Sequence, residues 1–272
     1  MTPEIGIPHF ETVTEAGAVV PWLTLVHGAS QHCGLFSAQV AAFRSRYRLL
    51  LIDLPGHGRS AGMPGPYGVG EHAEAVLRAL DQAGIERTHF WGTHTGAAAA
   101  LLLAVRMPHR FLSLVLDGAV LPGIEVPSVT AAIGRARAMA LKAGVAAARD
   151  EWFETAAWFD VIRRHPEACR AAQHRALIET FGGAPWLSAI PPAPVAPVHD
   201  ALGAVDMPVL LVNGEHDLPD FIAMADVLEQ RLPAVRRGVI RGGGGFPLWE
   251  FPAAVNAIVG DFLAGCAQGG AA

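Results

Sequence analysis

The sequence predicts an α/β fold: a doubly wound, mostly parallel sheet with a helical lid inserted between two of its strands. Three observations carry that prediction. Continuous apolar runs recur along the chain and stop at Gly- or Pro-containing turns. Apolar residues at helical spacing separate the runs. One long stretch lacks the strand pattern altogether.

The runs come in order. Residues 21–26 end at His27-Gly28, and residues 48–53 end in Leu54-Pro55-Gly56-His57-Gly58. Residues 111–116 end at Asp117-Gly118, and residues 208–213 end at Gly214-Glu215-His216-Asp217. Runs apolar on both faces and stopped by Gly or Pro read as buried parallel strands. Val69, Ala73, Val76, Leu77 and Leu80 recur at helical spacing, and residues 97–105 are apolar all round, as a fully buried central helix requires. Strands alternating with helices imply a sheet covered on both faces. Functional groups then gather in the loops at the carboxyl ends of the strands.

From residue 122 to 202 the alternation breaks. Residues 131–149 are rich in Ala, Arg and Met and predict a helix. Trp152, Phe153 and Trp158 follow at helix-like spacing, and a further helix is expected over 166–181. The tract Ile190-Pro191-Pro192-Ala193-Pro194-Val195-Ala196-Pro197 reads as a semi-rigid connector back to the sheet. The expected division is a core of 1–121 and 203–272 with a lid of 122–202.

Composition bounds the function. The chain has 272 residues, 51% hydrophobic and 17% charged, enough apolar surface for one sizeable domain. A formal charge of −5 leaves no basic footprint for nucleic acid. No apolar run is long enough to predict a membrane span. The start, Met1-Thr2-Pro3-Glu4-Ile5, has neither a basic nor an apolar leader region, so no secretory signal is expected. Cys33, Cys169 and Cys266 are widely spaced and odd in number, which reads as free thiols in a reducing cytoplasm. A homodimer is left open.

The most informative local feature is Gly92-Thr93-His94-Thr95-Gly96, which follows the apolar run His89-Phe90-Trp91 and opens the helix at Ala97. It has the form of a Gly-x-nucleophile-x-Gly turn between strand and helix, with histidine at its centre. Near the C-terminus, Gly242 to Phe246 read GGGGF, and no histidine occurs beyond His216.

With His27-Gly28, Asp53-Leu54-Pro55-Gly56-His57-Gly58-Arg59-Ser60, this turn, Gly214-Glu215-His216-Asp217 and Glu250-Phe251-Pro252, the chain resembles the α/β-hydrolase superfamily over nearly its whole length. The resemblance implies a strained turn that exposes the side chain of residue 94. It also implies an oxyanion hole made by the backbone amides of Thr95 and Ala29. Asp217 fits the slot of the family's acid, and Asp117 is the other position some members use. Ser, Cys and Asp are absent from the centre of the turn, and Gly245 stands in the slot of the general-base histidine. An acyl-enzyme route through a Ser-His-Asp triad is therefore closed. The expectation is that the missing imidazole at 245 leaves a void, across which His94 reaches Asp217, directly or through a water, to rebuild a His–Asp dyad. His94 would then act as general base on a C–H, an O–H or a water.

Around that centre, Ser30, His32, Trp158 and Trp249 are candidate substrate contacts, with Trp152 and Phe153 as further candidate walls. His27 and His57 read as structural residues, His216 as facing solvent or the loop, and Cys33 as a small buried apolar side chain. His27, His32, His94 and Asp217 match no metal-ligand spacing, so no metal and no cofactor are expected. The GGGG stretch lacks the GK[ST] ending of a phosphate loop. The implied function is a cytoplasmic hydrolase or lyase acting on a small apolar or aromatic carbonyl compound. The alternative is a catalytically silent member of the fold that uses its lidded pocket to bind a ligand.

Overall fold

The computed structural model describes residues 5–16 and 18–269, the side chains of 267–269 excepted; the leader reading of Met1 to Glu4 lies outside them. The strands are β1 (Phe10–Val13), β2 (Trp22–Val26), β3 (Arg48–Ile52), β4 (Thr88–Thr93), β5 (Phe111–Asp117), β6 (Val209–Gly214) and β7 (Val235–Ile240). They form one sheet in the order β1-β3-β2-β4-β5-β6-β7. Every pairing is parallel except β1 with β3. The predicted sheet is thus present, and its centre is dry: every residue of β4 and of β6 is buried.

Two strands carried no readable pattern. β1 is four residues long and largely half-exposed, and β7 (VRRGVI) buries only its last residue. Both lie at edges of the sheet, where packing asks for no continuous apolar run.

Helices α1 (Ser37–Phe43), α2 (Val69–Gln82) and α3 (Thr95–Arg106) connect the first strands. α2 packs on α3, while α1 packs on the C-terminal helix of the chain. α3 is buried from Gly96 through Ala104, as its uniform apolarity predicts. Small residues are required where it leaves the sheet. A Cβ on Gly96 would stand 2.2 Å from the Val26 carbonyl oxygen, so only glycine lets α3 close on β2.

Between β5 and β6 lie α4 (Pro127–Ala143), α5 (Val145–Thr155), α6 (Asp160–Arg164), α7 (Ala171–Glu179) and α8 (Ala184–Leu187), with no strand among them. The helix expected over 131–149 is two helices, because Gly144 adopts φ 90° and turns the chain. The helix expected over 166–181 begins only at Ala171, after Arg170 at φ 49°. The inserted helices are sewn together by rings: Trp152 lies 4.9 Å from Trp158 and 5.3 Å from Trp186. They are pinned to the sheet side by Arg170, whose guanidinium donates to the Trp249 carbonyl at 3.1 Å and stacks on that indole. The remaining helices, α9 (Pro219–Arg231), α10 (Pro247–Glu250) and α11 (Pro252–Gly269), follow β6 and β7.

Candidate active site

His94 stands between β4 and α3 with φ 47° and ψ −106°, a backbone conformation that costs a non-glycine residue on the order of 1–3 kcal/mol. Two bonds hold it there. Its amide donates to the Asp117 carbonyl at 2.9 Å, and its carbonyl accepts from the Ala98 amide at 2.9 Å. The side chain projects over the amino end of α3 into a cavity of about 190 Å³. Ala29, Thr95, Val126, Trp152, Trp158, Phe221 and Phe246 are among its walls. No Lys, Arg, Asp or Glu lines it.

The imidazole is held chiefly by packing. It lies 5.0 Å from the Phe221 ring and 4.8 Å from the Phe246 ring, and its Nε2 is buried without a hydrogen-bond partner. Burial lowers its pKa to about 4, against a smaller opposing pull from the Gly245 carbonyl. At neutral pH the ring is uncharged.

Ala29 and Thr95 both line the same cavity. Thr95 begins α3, so its N–H has no partner within the helix. The turn before α1 is fixed by Ser30, which adopts φ 61° and donates its hydroxyl to the Ala29 carbonyl at 2.6 Å. Among the described residues neither the Ala29 nor the Thr95 amide donates a hydrogen bond to the protein.

The structure does not bring Asp217 to His94. The Asp217 carboxyl accepts from the Asn213 side chain at 2.9 Å and from the Leu218 amide at 2.8 Å. Among the described residues no hydrogen bond or ion pair joins it to His94. The local turn after β6 offers these donors first, and the carboxylate folds back onto its own loop. Burial raises its pKa to about 6. The void expected at 245 is also absent. A Cβ at 245 would meet the main chain of Trp158, so no room is left there for a side chain.

Asp117 and Glu250 are buried near Asp217 and share its environment. The Glu250 carboxyl accepts from the Gly244 and Phe246 amides, yet burial still raises its pKa to about 7. Burial, with Asp217 and Glu250 nearby, raises Asp117 well above the ordinary carboxylate range. Neither oxygen of Asp117 has a hydrogen-bond partner.

Of the four candidate substrate contacts, only Trp158 lines the cavity. Ser30 spends its hydroxyl on Ala29. The Nδ1 of His32 accepts from the Gly34 amide at 3.1 Å and caps a short turn. The indole N–H of Trp249 donates to the Cys169 carbonyl at 2.6 Å, with its ring 5.0 Å from His174. Trp152 is a wall; Phe153 packs on Phe159 instead. The walls not singled out from the sequence include Val126, Val129 and Ile133, whose i, i+3, i+7 spacing marks one face of α4 and could have revealed them.

The other histidines have structural employment. His27 Nδ1 faces the Gly28 carbonyl at 2.6 Å, and its Nε2 accepts from the Leu54 amide at 3.0 Å. His57 bonds the Pro55 carbonyl and stacks on Phe181, and His216 is exposed. His174 of α7 is fully buried, with Nε2 2.8 Å from the Gln31 side chain, which ties the inserted helices to the turn bearing Ala29. The ligand-type atoms of His32, Cys33 and Asp53 lie within 4.8 Å of one another. The Asp53 oxygens, however, already accept from the Cys33 and Arg59 amides, and burial beside Asp53 pushes the Cys33 thiol up to about 12. A metal would have to displace these bonds and that proton.

Residues 21–252 match the family model described as alpha/beta hydrolase fold. The chain is 27% identical over 206 residues to 3-oxoadipate enol-lactonase 2 of Acinetobacter baylyi, covering 72% of each chain. It is 28% identical over 237 residues to a putative carbamate hydrolase RutD of Caulobacter sp., covering 85% of each. The enol-lactonase structure from Burkholderia xenovorans superimposes with a TM-score of 0.80 at 25% identity, over 94% of this chain and 96% of that one. No helix among the described residues is long and apolar enough to cross a membrane.

Proposed function

The chain belongs to the α/β-hydrolase fold family, and on that premise we propose that it hydrolyses small, neutral, apolar or aromatic esters or lactones. His94 acts as general base, and the Ala29 and Thr95 amides hold the oxyanion. The observation that carries this reading is that a neutral imidazole and two residues whose amides have no protein partner line one apolar cavity. The relatives named as lactonase and carbamate hydrolase favour hydrolysis over lyase chemistry.

In this mechanism His94 takes a proton from water as its oxygen attacks the carbonyl carbon. The carbonyl oxygen becomes the oxyanion between the two amides. Collapse expels the leaving oxygen, which receives the proton back from the imidazolium, so no covalent enzyme intermediate forms. Asp217 contributes through position. It fixes the turn that starts α9, and α9 carries Phe221 onto the His94 ring. A cavity without a cation gives a carboxylate-bearing substrate nothing in exchange for its lost hydration. The proposed substrate is therefore uncharged, unlike a derivative of oxoadipate. The inserted helices serve as the lid that keeps the cavity dry.

The test is His94→Ala assayed on aryl esters and lactones, with the fold checked by circular dichroism. General-base catalysis is worth about 10²–10⁴-fold, so a loss of that size with an intact fold is expected. Undiminished turnover in the variant overturns the assignment. A second reading has its own support: His94 lacks a carboxylate partner, as in a protein that binds without reacting. That reading predicts no turnover by the wild type, with a melting temperature raised by a neutral apolar ligand.

A further inference from the structure

Helix α9 carries a stripe that nothing else among the described residues covers. Asp220, Ala223, Met224, Val227 and Arg231 stand at i, i+3, i+4, i+7 and i+11, one face of three helical turns. All five line a depression of about 380 Å³ on the outer surface, whose other wall is the segment leading into α4. The centre of the stripe is apolar and open: Ala223 is exposed, and Ile124 and Val227 are 40% and 36% exposed. The Leu121 amide donates to the Met224 sulfur at 3.4 Å, which fixes the floor.

The two ends of the stripe differ in sign. The acidic end holds Asp220, whose carboxylate accepts from the Ser128 hydroxyl, and Glu125, three residues before Ser128. Glu125 has no hydrogen bond or ion pair among the described residues. Arg231 closes the other end, about 16 Å along the helix. His199 stands beside it, and Asp200 lies 3.2 Å from the His199 Nε2 and 3.9 Å from the Arg231 guanidinium. The second distance is too long for a hydrogen bond, so the donors of the guanidinium stay available.

We propose that this face pairs with the same face of a second copy, as an antiparallel α9–α9 contact about a two-fold axis. An isologous interface has to be its own complement, and this stripe is. An axis between residues 225 and 226 sets Asp220 of each copy against Arg231 of the other, and Met224 against Val227. Opposite charges and apolar side chains therefore meet in a single register. Ala223 leaves room for the helices to approach, and Val227 enters the hollow over Met224. Glu125 then faces the basic end of the other copy, where His199 lies. A neutral ligand would use the apolar centre and neither charged end, whereas the second copy uses all three. The inference is independent of the chemistry at His94.

Sedimentation over the micromolar range tests it, with the fold of each variant checked by circular dichroism. The wild type should form a dimer that dissociates on dilution. Asp220→Arg and Arg231→Asp each put like charges at both ends of the contact and should weaken self-association at least about tenfold. An equimolar mixture of these two variants should associate like the wild type, because in the mixed dimer both ends again carry opposite charges. Val227→Glu should leave a monomer. A wild type that is monomeric throughout, a dimer that persists in Val227→Glu or in Arg231→Asp, or a mixture no stronger than its components would each overturn the interface.

Discussion

The main chain of Trp158 occupies the space a side chain at Gly245 would need: a Cβ there would stand 2.8 Å from the Trp158 Cα and 2.9 Å from its carbonyl oxygen. Position 245 is thus closed to a side chain by backbone from the inserted segment. A change that relieves a side-chain clash cannot reopen it, because the blocking atoms persist in any residue at 158. Gly245→Ala is expected to destabilise the protein by about 1–3 kcal/mol, the usual cost of overpacking. Urea unfolding checks this. The double variant His94→Ser with Gly245→His is expected to show no esterase activity, since its new imidazole cannot enter without displacing the helices. A folded double variant that turns over p-nitrophenyl acetate would contradict the closure.

Gly118 sets the other side of the His94 ring. A Cβ on Gly118 would stand 2.4 Å from His94 Cδ2 and 2.5 Å from its Nε2, and the residue adopts φ 59°. Gly118→Ala therefore strains the backbone by about 1–2 kcal/mol and pushes the ring from its place. Activity should fall by at least about a hundredfold while the fold survives. A double-mutant cycle isolates the cause: in a His94→Ala background the same change should cost no further activity. An equal loss in both backgrounds would mean that Gly118 acts elsewhere.

The turn around His94 was legible because it is local: two glycines, a strand before and an apolar helix after fix it within a few residues. The sheet was legible where strands are buried on both faces, and illegible at β1 and β7, whose outer edges ask for no pattern. A direct bond from Asp217 to His94 does not form because a carboxylate takes the nearest donors, here Asn213 and Leu218, and a sequence shows slots but not competition between them. The supposed void failed for the opposite reason. Its filler, Trp158, is distant in sequence and arrives only through tertiary packing.

The acid limb of activity should be displaced. A general base works only when unprotonated, and burial holds the His94 pKa at about 4. kcat/KM for a neutral ester should rise through about pH 4 and stay flat from there to pH 8, whereas an ordinary solvated histidine would give a limb near 6.5. A stopped-flow profile with short exposure to acid separates catalysis from unfolding. A limb between 6 and 7 would contradict a buried ring as the base.

Acid should also unfold this protein early. Burial holds His27, His89 and His94 at about 4, His72 and His174 at about 3, and His57 well below its ordinary value. The unfolded chain protonates these rings below about 6.5, so it binds more protons than the folded chain, and stability falls as pH drops from there toward 4. Asp117, Asp217 and Glu250 act in the other direction. Raised to about 6 for Asp217 and about 7 for Glu250, they hold protons in the fold that the unfolded chain has released, so their contribution falls as pH rises through that window. Six buried imidazoles outweigh three carboxyls, and each net proton is worth about 1.4 kcal/mol per pH unit. The net loss between pH 6.5 and 5 is on the order of a few kcal/mol, a large share of the stability of an ordinary domain. The urea midpoint should therefore be lower at pH 5 than at pH 7. A midpoint equal or higher at pH 5 would show that the carboxyls dominate and that the imidazoles are better solvated than their packing indicates.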